Sequence, residues 1–426
     1  MKNARSFAKA AAAVAVAGIV LTLAAASFAK SSKRYGIFCD LNLRYNEVSC
    51  SHDGVNPFRV WSHEIVHERY QGLKRPDMPE DRLPDKKEVH AYPPWHTTFF
   101  WWYPWLPRWF VQCGVLAFNF LSLIAIGAYF AAKLPATMSF WDKVLFCFSG
   151  LLPCAYVWGT LMANGNYSAF VTLSFLAMIL SLKRGHDVLA GICWVLMMVK
   201  PQLAALAFWP LLFAGKVKTM VVAAVVLAVA TFIPSFVYGE SPLELVWQVP
   251  QIGLPYIKEG WASGLLALTC LSGFSEIGNL HAVVSVACFA LCGAMSWAFS
   301  KSRFWMVRFV PMILFAPLWS YSLPHDRVFL VYLYFTLGLL GYSHAESRWG
   351  ARAKPAFYAT AFALAALVSV FPLVAGIGSV CGIFGCSVMG PIYKAWQFAI
   401  VLVAWTGCAV LAFNLRAADG QQVPLP

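Results

Sequence analysis

The sequence predicts an all-α, polytopic membrane protein with about twelve spans and a large extracytoplasmic first loop. Three observations carry that prediction. Of 426 residues, 60% are hydrophobic and only 12% are charged, whereas a soluble domain averages roughly half apolar and a quarter charged. Apolar runs recur along the whole chain, and about 20 such residues suffice to cross a bilayer as a helix. The lysines and arginines of the short loops alternate strongly in side. A soluble single domain, a disordered chain and a small disulfide scaffold are excluded. The net charge of +13 would suggest nucleic acid in a soluble protein. Here it is carried largely by loop residues that set topology, so no nucleic-acid partner is expected.

Taken in order, residues 1–30 open with Lys2, Arg5 and Lys9 and continue as an apolar run from Ala10 to Ala29. An uncleaved first helix is preferred over a cleaved signal peptide, although small residues near Ser27 to Ala29 would permit cleavage. Residues 31–108 form the long polar stretch and are expected to be exported. Counted from Lys30, this stretch holds 12 of the 32 Lys+Arg and 10 of the 19 Asp+Glu. Its part from Lys74 to Glu88 is charged and Pro-rich and reads as a loop. Ser62 to Tyr70 has the pattern of a short interfacial helix.

Residues 109–426 form the multi-helix membrane domain. Spans are predicted near 110–132, 143–162, 167–182, 187–199, 202–215, 219–238, 279–299, 304–321, 328–342, 355–375 and 391–413. The pair 187–199 and 202–215 is short and Pro-interrupted, as a tilted or re-entrant hairpin would be. With the N-terminus inside, the inner side collects 16 Lys and Arg. The outer short loops keep four: Lys200, Lys258, Arg327 and Lys394. That bias orients the chain and places it in the inner (plasma) membrane with its polar breaks facing the periplasm.

Of the 12 Cys, most lie singly in apolar segments as small buried hydrophobes. No CxxC pair or Cys/His cluster has zinc spacing, and neither a metal nor another cofactor is expected. Cys39/Cys50 and Cys381/Cys386 fall on the exported side. Each pair either closes a small disulfide or stays as thiols or cross-pairs.

Ionisable groups at membrane depth are costly and are functional candidates. Asp40 follows the first span and is either a general base for an acceptor hydroxyl or a surface or capping carboxylate. Arg44 and Tyr45 follow in the same segment. Tyr92 and His96 lead into the aromatic run Phe99 to Trp105, which anchors at the interface or stacks on sugar. Asn164 and Asn166 sit in a tight outer turn, as ligands for hydroxyls or phosphate or as a plain loop. Lys200 ends an apolar segment beside Pro201 and Gln202, and either meets a phosphate or snorkels. His325 and Arg327 either suit a phosphate leaving group or belong to a plain helix start that Asp326 caps. No Gly-rich phosphate loop, nucleophile elbow or HExxH motif is present.

These pieces, in order, resemble the GT-C integral-membrane glycosyltransferases, and most closely glycosyltransferase family 87, the polyprenyl-phosphomannose-dependent α-mannosyltransferases. The resemblance rests on Asp40 and Tyr45 followed by Gly54-Val55-Asn56-Pro57-Phe58, on Tyr92-Pro93-Pro94, and on a central block. That block runs from Asn164-Gly165-Asn166 through Lys183-Arg184-Gly185 and Ala190-Gly191 to Lys200-Pro201-Gln202. Pro317-Leu318-Trp319-Ser320 with His325 completes it, over roughly residues 35–330. The resemblance implies a polyprenyl-phosphate sugar as donor, mannose most naturally, and an envelope glycolipid or polysaccharide as acceptor. It implies that Asp40 is the base of an inverting transfer and that Lys200 and His325 lie near the donor phosphate. A ligase or polymerase of lipid-linked polysaccharide, a secondary transporter and a structural envelope subunit are the competing readings.

Overall fold

The computed structural model describes residues 2–54, 56–57, 92–249, 280–302, 304–320 and 324–349. Among these residues the regular structure is helical throughout, without a strand. In chain order the α-helices are α1 (Lys2–Tyr35), α2 (Cys39–His52), α3 (Trp95–Phe99), α4 (Arg108–Ala131), α5 (Phe140–Leu151) and α6 (Ala155–Asn164). They continue with α7 (Ser168–Lys183), α8 (Asp187–Met197), α9 (Pro201–Ala204), α10 (Phe208–Phe213) and α11 (Val217–Tyr238). The last are α12 (Leu280–Phe299), α13 (Trp305–Phe315) and α14 (Val331–Trp349).

Among the described residues, five helical stretches are long and apolar enough to cross a bilayer: Ser6–Arg34, Arg108–Ala131, Phe140–Asn164, Val217–Tyr238 and Ala282–Phe299. Ser168–Lys183, Asp187–Met197, Pro201–Phe213 and Trp305–Phe315 are apolar but shorter. The described residues are thus all-helical, with helices suited to a membrane protein. Several predicted spans differ in build. The stretch 143–162 is two helices joined by a 3-10 turn at Leu152–Cys154, where Pro153 cannot donate to the helix ladder. The stretch 202–215 is three short pieces around a 3-10 turn at Ala205–Ala207. The span predicted at 304–321 ends as a helix at Phe315. The spans at 355–375 and 391–413, the helix at Ser62–Tyr70, the loop Lys74–Glu88 and the pair Cys381/Cys386 lie outside the described residues.

Close backbone approach at small residues holds the bundle, as expected where lipid removes the hydrophobic drive between helices. A Cβ on Gly159 of α6 would sit 2.0 Å from the Ala24 carbonyl oxygen of α1, so α1 packs directly onto α6 backbone. Along this seam the hydroxyls of Ser27 and Thr160 are hydrogen-bonded at 2.8 Å. Nearer the N-terminus of α1, Lys9 donates to Asp142 at 2.8 Å, and Asp142 also completes the capping box of α5 with Ser139. The α7 helix is the buried axis. It packs on α4, α8, α13 and the 3-10 helix Pro324–Leu330. Phe175 lies edge-on to Phe309, Phe329 and Tyr332.

The first loop opens as folded structure. Helix α1 runs on to Tyr35, and after the turn at Gly36–Phe38 the chain re-enters a helix at Cys39. Asp40 therefore lies in the first turn of α2, nearer the end of the first helix than a span ending at Ala29 implied. Cys39 and Cys50 share this helix. At 1.5 Å per residue they stand about 16 Å apart, beyond disulfide reach, so the proposed bridge between them does not form. The aromatic run divides: Phe100 and Tyr103 are buried, whereas Trp102, Trp105, Trp109 and Phe110 are exposed, as an interfacial belt requires.

Candidate active site

Three local devices bring the site together. The first ends α6. Gly165 adopts φ 67°, and the backbone N–H groups of Asn166 and Gly165 donate to Leu161 and Met162 carbonyls at 3.2 and 3.3 Å. This is a Schellman closure with glycine in the left-handed position, and it turns the chain into α7 with Asn166 pointing inward. The second is Lys200. Pro201 forces the residue before it out of the helical region, so α8 stops at Met197 and Lys200 is extended with φ −122°. The third is Phe38, which holds a left-handed φ of 61°. Its N–H donates to the Ala163 carbonyl at 2.6 Å. The start of α2 is thereby fixed on the end of α6.

The result is one connected polar cluster. The Asn166 side-chain amide donates to Asp40 Oδ2 at 2.6 Å. The same nitrogen lies 2.8 Å from His325 Nε2. Asn166 Oδ1 accepts from the Ser168 backbone N–H at 3.0 Å, which sets the orientation of the amide. Both amide hydrogens are then used, so His325 Nε2 must accept and the ring is neutral with its proton on Nδ1. Burial, followed by the charge of Lys200, lowers the His325 pKa below its usual range, in the same direction. The Ser168 hydroxyl lies 2.7 Å from both Asn166 Oδ1 and Asp326 Oδ1. With one proton to give, it favours the charged acceptor.

Lys200 donates to the Ser168 hydroxyl at 3.0 Å and forms a tight ion pair with Asp326. Burial alone would raise the Asp326 carboxyl, but Lys200, His325 and the hydrogen bonds bring it down to about 2. The anion that Lys200 meets is Asp326, which also stands in the first turn of the 3-10 helix Pro324–Leu330, where the cap reading put it. Exposure sorts the cluster. Lys200 keeps 3% of its side chain exposed and Asp326 keeps 0%, whereas Asp40 keeps 23%. Asp40 is the open end of an otherwise enclosed network.

A second layer lines the same wall. On α2 the residues 40, 44, 47 and 51 fall on one face. Arg44 pairs with Glu47 at 2.6 Å and lies 4.5 Å from the Tyr92 ring centre. The Lys200 ammonium approaches the same ring at 5.7 Å. Burial raises the Glu47 carboxyl against the opposing pull of Arg44. His96 packs among Tyr92, Phe100 and Tyr167, with ring centres 5.0–5.3 Å away, and burial holds its pKa well below the usual range.

Other predicted residues play supporting parts. The Tyr45 hydroxyl donates to the Leu106 carbonyl at 3.0 Å, which ties α2 to the segment before α4. Gln202 is engaged through its backbone carbonyl, which accepts from Trp319 at 2.6 Å. Arg327 is buried, and its carbonyl faces Cys154 Sγ at 4.0 Å. Asn164 is buried at the α6 terminus and its side-chain oxygen has no hydrogen-bond partner among the described residues, so of the two amides it is Asn166 that bridges the cluster. Sequence reading missed Ser168, Glu47 and Asn119. Asn119 donates to the Asn166 carbonyl at 3.2 Å and accepts from Trp158 at 3.0 Å through its own carbonyl. The signal for Glu47 was its i,i+3 spacing from Arg44. Asn119 was a lone amide in an apolar helix.

Comparison of the chain with family models, with curated proteins and with solved structures returned no match.

Proposed function

We propose that this chain is a membrane glycosyltransferase that moves a hexose, mannose most naturally, from a polyprenyl-phosphate donor to a hydroxyl of an envelope glycolipid or polysaccharide. The observation that carries the reading is the state of Asp40. It is a partly open carboxylate at the edge of a cluster assembled from residues 40, 166–168, 200 and 325–326. Such a carboxylate suits a general base. It takes the acceptor proton as the acceptor oxygen attacks the anomeric carbon and the bond to the phosphate oxygen breaks. A single displacement inverts the anomeric centre. Asn166 holds Asp40 in place, and Ser168, Lys200 and Asp326 hold Asn166. Lys200 and His325 are thus assigned to positioning, a more modest role than phosphate contact. About twelve spans, with this cluster on the periplasmic side of the inner membrane, complete the reading.

A linked series of charges leading inward from an open acid also favours a proton-coupled transporter. One experiment separates the two. Purified wild-type protein and Asp40→Asn are given a radiolabelled polyprenyl-phosphate sugar and a membrane lipid extract from the source as acceptor. Transfer by wild type, lost by about 10²-fold or more in Asp40→Asn with an unchanged melting temperature, supports the enzyme. Equal transfer by both removes Asp40 from catalysis, and no transfer by either turns the question to transport.

A further inference from the structure

A second polar pocket lies at the opposite end of α7. Lys133, just past α4, and Lys183, the last residue of α7, line a cavity that opens to the surface. Sixteen residues of helix put it about 22 Å from Ser168 along the axis, so it does not belong to the Asp40 cluster. The two lysines sense each other's charge, and neither forms an ion pair with an acid among the described residues. The Lys133 ammonium lies 5.1 Å from the ring centre of Tyr129, also on the cavity wall. Like cations gathered without an acid repel each other unless an anion joins them.

Two further features supply donors there. Thr336 lines the cavity, and its buried hydroxyl has no hydrogen-bond partner. Leaving such a group unsatisfied costs free energy that a ligand can recover. Trp305, Met306 and Val307 form the first turn of α13 and also line the cavity. No side chain caps that turn, so its leading N–H groups keep their capacity for an anion. The remaining wall is apolar, with Phe130, Leu339 and Leu340.

We infer that this cavity binds the phosphate headgroup of an anionic phospholipid. Lys133 and Lys183 supply the charge, Thr336 and the α13 terminus supply the directed donors, and the apolar wall takes the first part of an acyl chain. Basic pockets between membrane helices are suited to such headgroups. A free phosphate would satisfy the same donors but would leave the apolar wall unused.

The test uses the full chain in a neutral detergent. Dihexanoyl phosphatidic acid, dihexanoyl phosphatidylcholine and inorganic phosphate are titrated by calorimetry. Phosphatidic acid is expected to bind saturably, with phosphatidylcholine and phosphate much weaker. The Lys133→Gln/Lys183→Gln variant should weaken it by about thirtyfold. Thr336→Val, which keeps both lysines, should weaken it by about tenfold and decides the matter if the double variant does not fold. No saturable binding by wild type, or equal binding by both variants, overturns the site. Phosphate binding as tightly as phosphatidic acid overturns the lipid assignment, and phosphatidylcholine doing so overturns the requirement for an anion.

Discussion

The two ends of α7 carry charge in opposite ways. At Ser168 a lysine is buried, yet an acid on the 3-10 helix Pro324–Leu330 neutralises it and the serine hydroxyl bridges the two. At Lys183 the cations stay nearer water, and no ion pair with an acid is formed among the described residues. A charge removed from solvent needs its partner inside the protein, because desolvation costs several kcal/mol per ion. A charge left at the rim can wait for a partner from outside. The first end is therefore committed to holding shape, and the second is free to bind.

The largest effect should come from breaking the committed end. Asp326→Asn leaves the Lys200 ammonium buried without its anion and should cost about 3–5 kcal/mol, read as a lowered thermal unfolding midpoint. Adding Lys200→Met to that variant should restore part of the loss. Full stability in Asp326→Asn alone would show that the pair does not hold the fold.

Next in size is the hinge that presents Asn166. Gly165→Ala puts a Cβ on a backbone at φ 67°, 2.7 Å from the Leu41 Cβ. The conformation alone costs about 1–2 kcal/mol, and the contact pushes α2 outward. The variant should melt earlier and should also lose the proposed transfer activity, because Leu41 adjoins Asp40. A melt equal to wild type would mean that the α6–α7 turn can open without consequence.

Acid should sharpen the contrast. The His325 pKa is depressed in the folded chain, so the unfolded chain binds its proton more readily. The stability this contributes is fully present above the ordinary value of 6.5 and is lost as pH falls from there through the folded value. The slope should not exceed about 1.4 kcal/mol per pH unit, that of one proton. Asp326 follows lower down, its contribution being present above 3.8 and lost toward about 2. His325→Gln should remove the upper portion of this dependence. A profile identical to wild type would mean that His325 does not titrate with unfolding.

The smallest effect is expected at the open end. Without ligand, Lys133→Gln and Lys183→Gln should each change stability by about 0.5 kcal/mol or less, toward greater stability if the like charges repel. A large loss at either position would give these lysines a structural partner and erase the contrast between the two ends.

The sequence predicted the helical membrane class because hydropathy is additive and local, and Asp40 stood out because few acids flank the apolar runs. The internal partner of Lys200 was harder to see. A lysine closing an apolar run asks for an anion, but nothing local chooses between a phosphate and a carboxylate 126 residues away. Asp326 was read as a cap because caps are the commonest use of an acid beside a helix start. The break at Leu152–Cys154 was hidden within a window that averages over Pro153, whereas the interrupted build of 202–215 was already visible in its prolines. Ser168 looked like part of the opening turn of the span at 167–182, and only the fold shows that its hydroxyl joins Asn166 to Asp326.

The orientation of the Asn166 amide settles a count of protons. With Nε2 of His325 accepting, the ring is neutral. Lys200 and Asp326 cancel, so an ionised Asp40 leaves the cluster one negative charge in excess. That charge sits at the end of the network that solvent reaches.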